Sequence, residues 1–112
     1  MSENQPTMPD ESKVASALNF LALTDEEHAG LKAAKTASEY MLKHHKAQAM
    51  LSSDEKSMAG KEAQAYASQA YANAVEDLRE TIVELETVAA KRKRAELTID
   101  VWRSLNANRR QG

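Results

Sequence analysis

Three histidines are the side chains in this chain most suited to holding a metal ion, and they stand at positions 28, 44 and 45. His44 and His45 are adjacent, so on a helix their side chains point about 100° apart and make a poor metal pair. His28 lies about four helical turns earlier. We therefore predict no metal site, with His44 on the surface and His45 half-buried in a helix seam.

Catalytic motifs are missing from the sequence. It has no cysteine and no H-E-x-x-H, G-x-x-x-x-G-K-[ST] or G-x-S-x-G pattern, which removes the signatures of zinc peptidases, P-loop nucleotide hydrolases and α/β-hydrolases. Acidic residues are plentiful between 76 and 86, but a helix of this pattern presents them to solvent, where they keep ordinary acidity. The sequence predicts a binding protein and not an enzyme, with no cofactor and no small-molecule substrate.

Basic side chains are concentrated near the C-terminus. Residues 1–90 hold 8 Lys/Arg and 15 Asp/Glu, whereas residues 91–112 hold 7 and 2. The basic residues of this segment are Lys91, Arg92, Lys93, Arg94, Arg103, Arg109 and Arg110. We expect the cluster to be solvated or to pair with the acidic stretch 76–86 of a neighbouring protomer. Contact with nucleic-acid phosphates is the alternative, although no aromatic residue is interleaved with these cations.

The composition indicates the elements that must position these residues. The chain has 112 residues, of which 42% are apolar and only 4% aromatic, and it contains three glycines and two prolines. Such a composition is typical of long helices and coiled coils. The lack of cysteine fits a reducing cytoplasm, and no apolar run approaches the roughly 20 residues that a membrane span requires, so we expect a cytoplasmic protein without a membrane partner.

The periodic pattern predicts an all-α fold, an antiparallel helical hairpin with a long, coiled-coil-like C-terminal helix. Residues 1–9 are expected to form a flexible arm, followed by a single helical domain over residues 10–112. A short helix is predicted at about 12–22. A capping box at Thr24 would start a second helix at about 25–51, and a cap at Ser53 would start the long helix at about 54–108.

The long helix carries two apolar stretches. Tyr71, Val75, Leu78, Ile82, Leu85 and Ala89 keep coiled-coil spacing, which fails when Arg92 and Glu96 take the next two positions. A new apolar arc then follows, beyond the reach of the shorter first arm of the hairpin. We therefore predict a homo-oligomer, with another protein as the alternative partner. The predicted interface residues are Leu78, Ile82, Leu85, Leu97, Val101, Trp102 and Leu105.

Three stretches of the chain resemble small helical proteins of tailed bacteriophages and prophages: Ser52 to Ser57, Lys61 to Ser68 and the ending Ile99 to Arg109, with its Trp-Arg-Ser-Leu sequence. The resemblance covers about residues 25 to 110. It implies an accessory role in phage DNA recombination or replication inside a bacterial host cell. The predicted function is thus a helical association or adaptor protein. A direct nucleic-acid-binding protein and a small structural component of a phage particle are the alternatives.

Overall fold

The described part of the chain consists of helices joined by short connections. The computed structural model describes residues 9–111, and the side chains of residues 9–109. The helices are α1 (Glu11–Leu51), α2 (Met58–Tyr66) and α3 (Gln69–Gln111), and this part of the chain contains no strand. None of these helices is both long and apolar enough to cross a membrane. The predicted all-α class and long C-terminal helix are confirmed, while the predicted arm of residues 1–9 lies almost entirely outside the described residues.

The predicted helix boundary at Thr24 is wrong, because α1 runs through it without interruption. Thr24 does not cap a helix: its buried hydroxyl donates to the carbonyl oxygen of Phe20 at 2.8 Å, as a threonine inside a helix can do. The cap lies instead at Asp10, whose carboxylate accepts from the Lys13 amide at 2.9 Å. One helix of 41 residues therefore replaces the two that were predicted.

The predicted start of the long helix is also wrong. Ser57, and not Ser53, is the N-cap of α2, since its hydroxyl accepts from the Gly60 amide at 3.0 Å. The helix then ends at Tyr66 and restarts at Gln69. Ser68 stabilises this break, because its hydroxyl donates to the Ala65 carbonyl at 2.7 Å and accepts from the Tyr71 amide at 3.3 Å. The long helix is therefore α3 alone, which continues to residue 111.

The structure divides into two compact units. Unit 1 comprises residues 1–27 and 87–112, and unit 2 comprises residues 28–86. In unit 1 the beginning of α1 lies against the end of α3. Arg92 reaches Thr24, whereas Pro9 and Glu11 share a groove with Trp102 and Leu105. Residue numbers thus rise along α1 as they fall along α3, which establishes an antiparallel pair.

The core of unit 1 is a narrow seam between these two helices. Val14, Ala17, Ala95 and Ile99 form the buried cluster, with Phe20, Leu21 and Trp102 packed against it. The seam positions of α1 are 14, 17, 21 and 24, and those of α3 are 92, 95, 99 and 102, while Phe20, Thr98 and Leu105 beside the seam are also half-buried. Both sets alternate spacings of three and four residues, which is the coiled-coil repeat. The seam therefore does not fail at residue 92, as the sequence suggested, but passes through it.

Unit 2 contains the end of α1, all of α2 and the beginning of α3. Its buried side chains are small: Ala65 is fully buried and Ala74 nearly so, with Leu85 as the larger contributor. The predicted seam position Val75 is exposed, because the seam runs through Ala74 instead. Lys46 of α1 pairs with Glu62 of α2 at 3.2 Å. A core made largely of alanine contributes little burial energy, since the stabilisation scales with the apolar area removed from water.

Candidate association surface

The C-terminal apolar arc was predicted to extend beyond the first arm of the hairpin, and this expectation is wrong. Within unit 1 the beginning of α1 lies beside the end of α3, where Pro9 and Glu11 share a groove with Trp102 and Leu105. Trp102 is half-buried against the Val14 cluster of the same chain. This coverage was missed because the first arm was predicted to begin at about residue 25, whereas the turns that cover Trp102 lie at the beginning of the same helix, α1.

The predicted interface residues fall into two groups. Five of them are covered within the chain to some degree: Leu85 is buried, and Leu78, Ile82, Trp102 and Leu105 are half-buried. Leu97 and Val101 are exposed, at 52% and 42% of their surface. The chain itself covers most of the predicted interface, and the residues left for a partner are those that point away from the seam.

Arg92 occupies the seam as a polar layer. Its Nη1 donates to the Leu21 carbonyl at 2.9 Å and to the Thr24 hydroxyl at 2.7 Å, while Nη2 donates to the Asp25 carboxylate at 2.8 Å. Only 16% of the Arg92 side chain is exposed. The guanidinium is therefore committed within the chain, and Arg92 is not free for phosphate or for an acidic stretch of a neighbouring protomer.

The other cations of the basic cluster point outward. Lys91, Lys93, Arg94, Arg103 and Arg109 are exposed, whereas the side chain of Arg110 lies outside the described residues. Four consecutive cations in the sequence thus become three at the surface and one in the seam. Trp102, the aromatic residue nearest to them in sequence, packs against the seam.

The acidic stretch 76–86 is partly paired within its own helix. Arg79 donates to Glu76 in a two-point contact, with a shortest distance of 2.6 Å. These hydrogen bonds from Arg79 hold the pKa of the Glu76 carboxyl below its ordinary value, and the contact correspondingly raises the pKa of Arg79. The expectation of ordinary acidity along this stretch is therefore wrong at Glu76.

Unit 1 presents an apolar face on one side of its seam. On α1, Phe20 and Leu23 lie on the same flank of the seam, and on α3 Thr98, Val101 and Leu105 lie on the matching flank. In an antiparallel pair these two flanks face the same way. Leu23 is 74% exposed, which is the largest value in unit 1 among the large apolar side chains. We call Phe20, Leu23, Thr98, Val101 and Leu105 the apolar face.

The opposite side of unit 1 is mostly charged. Helical spacing places Lys93, Glu96, Asp100 and Arg103 of α3 on this flank, together with Asp25 and the exposed Leu18 of α1. We call it the charged face. Sequence reasoning missed Phe20 and Leu23 as surface residues because it treated the helix around them as a separate short segment. Positions 20 and 23 each lie one residue before a seam position of α1, 21 or 24, and this spacing is the signal that identifies their common flank.

Unit 2 has a different surface feature, a groove of about 460 Å³ lined by Glu39, Leu42, Lys43, Lys46, Tyr66 and Tyr71. The rings of Tyr66 and Tyr71 meet edge to face at 5.2 Å, and Lys46 Nζ lies 4.7 Å from the Tyr66 ring centroid. Hydrogen bonds with Tyr66 and Glu62 raise the pKa of Lys46. These contacts hold the lysine charged and tie α1 to α2 locally.

The histidines lie where the sequence predicted, with His44 exposed and His45 half-buried. Their rings are 5.8 Å apart in an edge-on arrangement. Within residues 9–109, no three histidine or carboxylate side chains come close enough together to hold a metal ion. The histidines therefore contribute to the surface and seam of unit 2.

No family model, no curated protein and no solved structure matches this chain.

Proposed function

We propose that the chain is a non-enzymatic association protein that binds a second copy of itself through its C-terminal helix. The observation that carries this proposal is the exposure of Leu23 and Val101, two large apolar side chains on the same flank of unit 1, with Val101 on the C-terminal helix. Exposed apolar side chains grouped beside one another indicate a contact surface, because soluble proteins usually keep such groups small. The C-terminal helix thus serves both the fold and the association.

The thin core supports the same proposal. Within residues 9–109, four of the seven buried apolar residues are alanines, namely Ala17, Ala65, Ala74 and Ala95. A two-layer helix pair of this kind buries limited apolar area, and association with another helical surface adds to it. Self-association would therefore stabilise the fold as well as carry the function.

Sedimentation velocity of the full chain tests this proposal. The monomer mass is 12.4 kDa, and we expect the weight-average mass to rise above it between about 5 and 200 µM, since weak specific interfaces have micromolar dissociation constants. A mass that stays monomeric across this range would overturn the proposal.

An accessory role in phage DNA recombination or replication stays a prediction from the resemblance of residues 25–110. The gene's neighbours test it directly. Annealing or single-strand-binding genes beside it would support the accessory role, whereas head or tail genes would favour a structural component of the particle. We also propose that the protein acts in the cytoplasm of a bacterial host.

Direct nucleic-acid binding is the second candidate, and one observation favours it. Lys91, Lys93 and Arg94 are all exposed within one turn of α3. Such a group can neutralise several phosphates and release their counterions. With Arg92 held in the seam, at most three cations would make this contact, and Lys93 would have to reach the phosphates from the opposite flank to Lys91 and Arg94.

A further inference from the structure

The apolar face of unit 1 carries a specific inference that rests on the proposed self-association. We propose that a second copy packs on this face so that each α1 lies on the α3 of the other copy, with a two-fold axis parallel to the helices. The product is a four-helix bundle in which Glu27 of each copy pairs with Lys91 and Arg94 of the other. The interface lies wholly within unit 1.

The shape of the face fits a helical partner. Phe20 and Leu23 form a row on α1, and Thr98, Val101 and Leu105 form a row on α3. The groove between two such rows receives the side chains of another helix, as in helical bundles. A second copy presents the same two rows, so the α1 row of each copy can lie on the α3 row of the other. This face is therefore self-complementary in shape.

Charged side chains lie at one end of the apolar face. Glu27 continues the α1 row one turn beyond Leu23, and Arg94 and Lys91 continue the α3 row beyond Thr98. The contact of Thr24 with Arg92 places both sets at the same end of unit 1. None of the three takes part in an ion pair among the described residues. An acidic edge on α1 thus lies beside a basic edge on α3.

These charges select one symmetry. A two-fold axis parallel to the helices sets the α1 of one copy against the α3 of the other at the same height, so Glu27 meets Lys91 and Arg94 twice. An axis across the helices would set Glu27 against Lys13 of the other copy and leave Lys91 and Arg94 facing Leu105. The axis across the helices would thus bury Lys91 and Arg94 without partners. The axis parallel to the helices is therefore favoured.

The size of the face indicates a weak dimer. Residues 11–27 of α1 span about 25 Å, and two adjacent helices are about 20 Å wide. The contact would bury on the order of 500 Å² per copy, or about 1,000 Å² in total, at the lower end for specific interfaces. We therefore expect a dissociation constant in the micromolar range. Such a dimer responds measurably to single substitutions.

Charge-swap variants test the arrangement. Glu27→Lys alone and Lys91→Glu with Arg94→Glu should each weaken self-association at least tenfold, because each creates two like-charged contacts. An equimolar mixture of the two variants should form a heterodimer of wild-type affinity, since both contacts regain opposite charges. Native mass spectrometry distinguishes the species, and Lys93→Glu on the charged face is the matched control with unchanged affinity.

A second pair of variants tests the face without altering charge. Leu23→Gln should weaken the dimer about tenfold, while Leu97→Gln, on the back of α3 and also exposed, should change it less than twofold. Both positions are exposed, so circular dichroism should show unchanged helicity. A wild-type chain that stays monomeric would overturn the proposed function. A wild-type dimer with no response to Leu23→Gln would overturn this face, and weakened charge variants without heterodimer rescue would overturn the parallel axis.

Discussion

Replacement of Arg92 by alanine tests whether the polar layer in the seam stabilises the hairpin. In the native chain the guanidinium donates to the Leu21 carbonyl, the Thr24 hydroxyl and the Asp25 carboxylate. The alanine variant loses all three contacts. It also leaves a gap where the side-chain methylenes lie between α1 and α3. We therefore expect the variant to be less stable, with unit 1 more affected than unit 2.

The magnitude follows from the environment of each contact. The Asp25 side chain is 65% exposed, so its ion pair contributes at most about 1 kcal/mol. The two contacts with the Leu21 carbonyl and the Thr24 hydroxyl are charge-assisted and more sheltered, and together they contribute about 1 to 2 kcal/mol. The total loss is about 2 kcal/mol, which corresponds to a drop of about 10 °C in Tm for a chain of this size.

Thermal and urea unfolding followed by circular dichroism measure this loss. The matched control is Lys93→Ala, the next residue on the same helix, whose side chain is exposed and should change the free energy of unfolding by less than about 0.5 kcal/mol. Arg92→Leu is informative as well, because an apolar side chain in a seam can replace a buried ion pair at little cost. If Arg92→Ala and Lys93→Ala are equally stable, the seam assignment of Arg92 is refuted.

Three further predictions concern other parts of the chain. Trp102→Ala should lower the stability of the free chain by about 2 to 3 kcal/mol in urea unfolding, because the ring packs on the chain's own core; an unchanged midpoint would assign the tryptophan to a partner. The carboxyl carbon of Glu76 should titrate below that of an unpaired glutamate in NMR, and Arg79→Gln should remove this difference. Stability from that pair is thus present above the usual glutamate range and lost as the pH falls through the lowered pKa. If the chain binds DNA, replacing Lys91, Lys93 and Arg94 by Gln should reduce the slope of log affinity against log salt concentration by the equivalent of about three phosphate contacts, measured by anisotropy titration. Absence of binding at low salt would exclude this function.

The sequence was sufficient for the fold class because its helix-forming composition and apolar periodicity agree over most of the chain. It was misleading at Thr24. A threonine followed by three acidic residues satisfies the capping-box pattern, but the same hydroxyl can donate to the carbonyl four residues earlier when the helix continues. Local sequence does not distinguish these two states. The decisive factor is the coiled-coil repeat of positions 14, 17, 21 and 24, which keeps its phase through the apparent boundary.

The surface was harder to predict than the fold. Arg92 was grouped with its three basic neighbours because it resembles them in sequence, whereas packing places it in the seam. The seam contains Arg92, Thr24 and small alanines as well as large apolar residues. A search for large apolar residues therefore placed Val75 in the seam instead of Ala74, and it did not identify Leu23 as an interface residue. The surface available to a partner is the part that the chain's own helices leave uncovered. Its prediction therefore requires knowledge of how the helices pair.

Concentration-dependent NMR of the amide groups tests the central claim, that the chain associates through the apolar face of unit 1, most directly. At 112 residues the chain is small enough for every amide to be followed as it is diluted from several hundred to about 5 µM. We predict that shifts change at Phe20, Leu23, Glu27, Arg94 and Val101, and stay constant on the charged face at Lys93 and Asp100. Spectra that do not change on dilution, or changes confined to unit 2 or to the charged face, would contradict it.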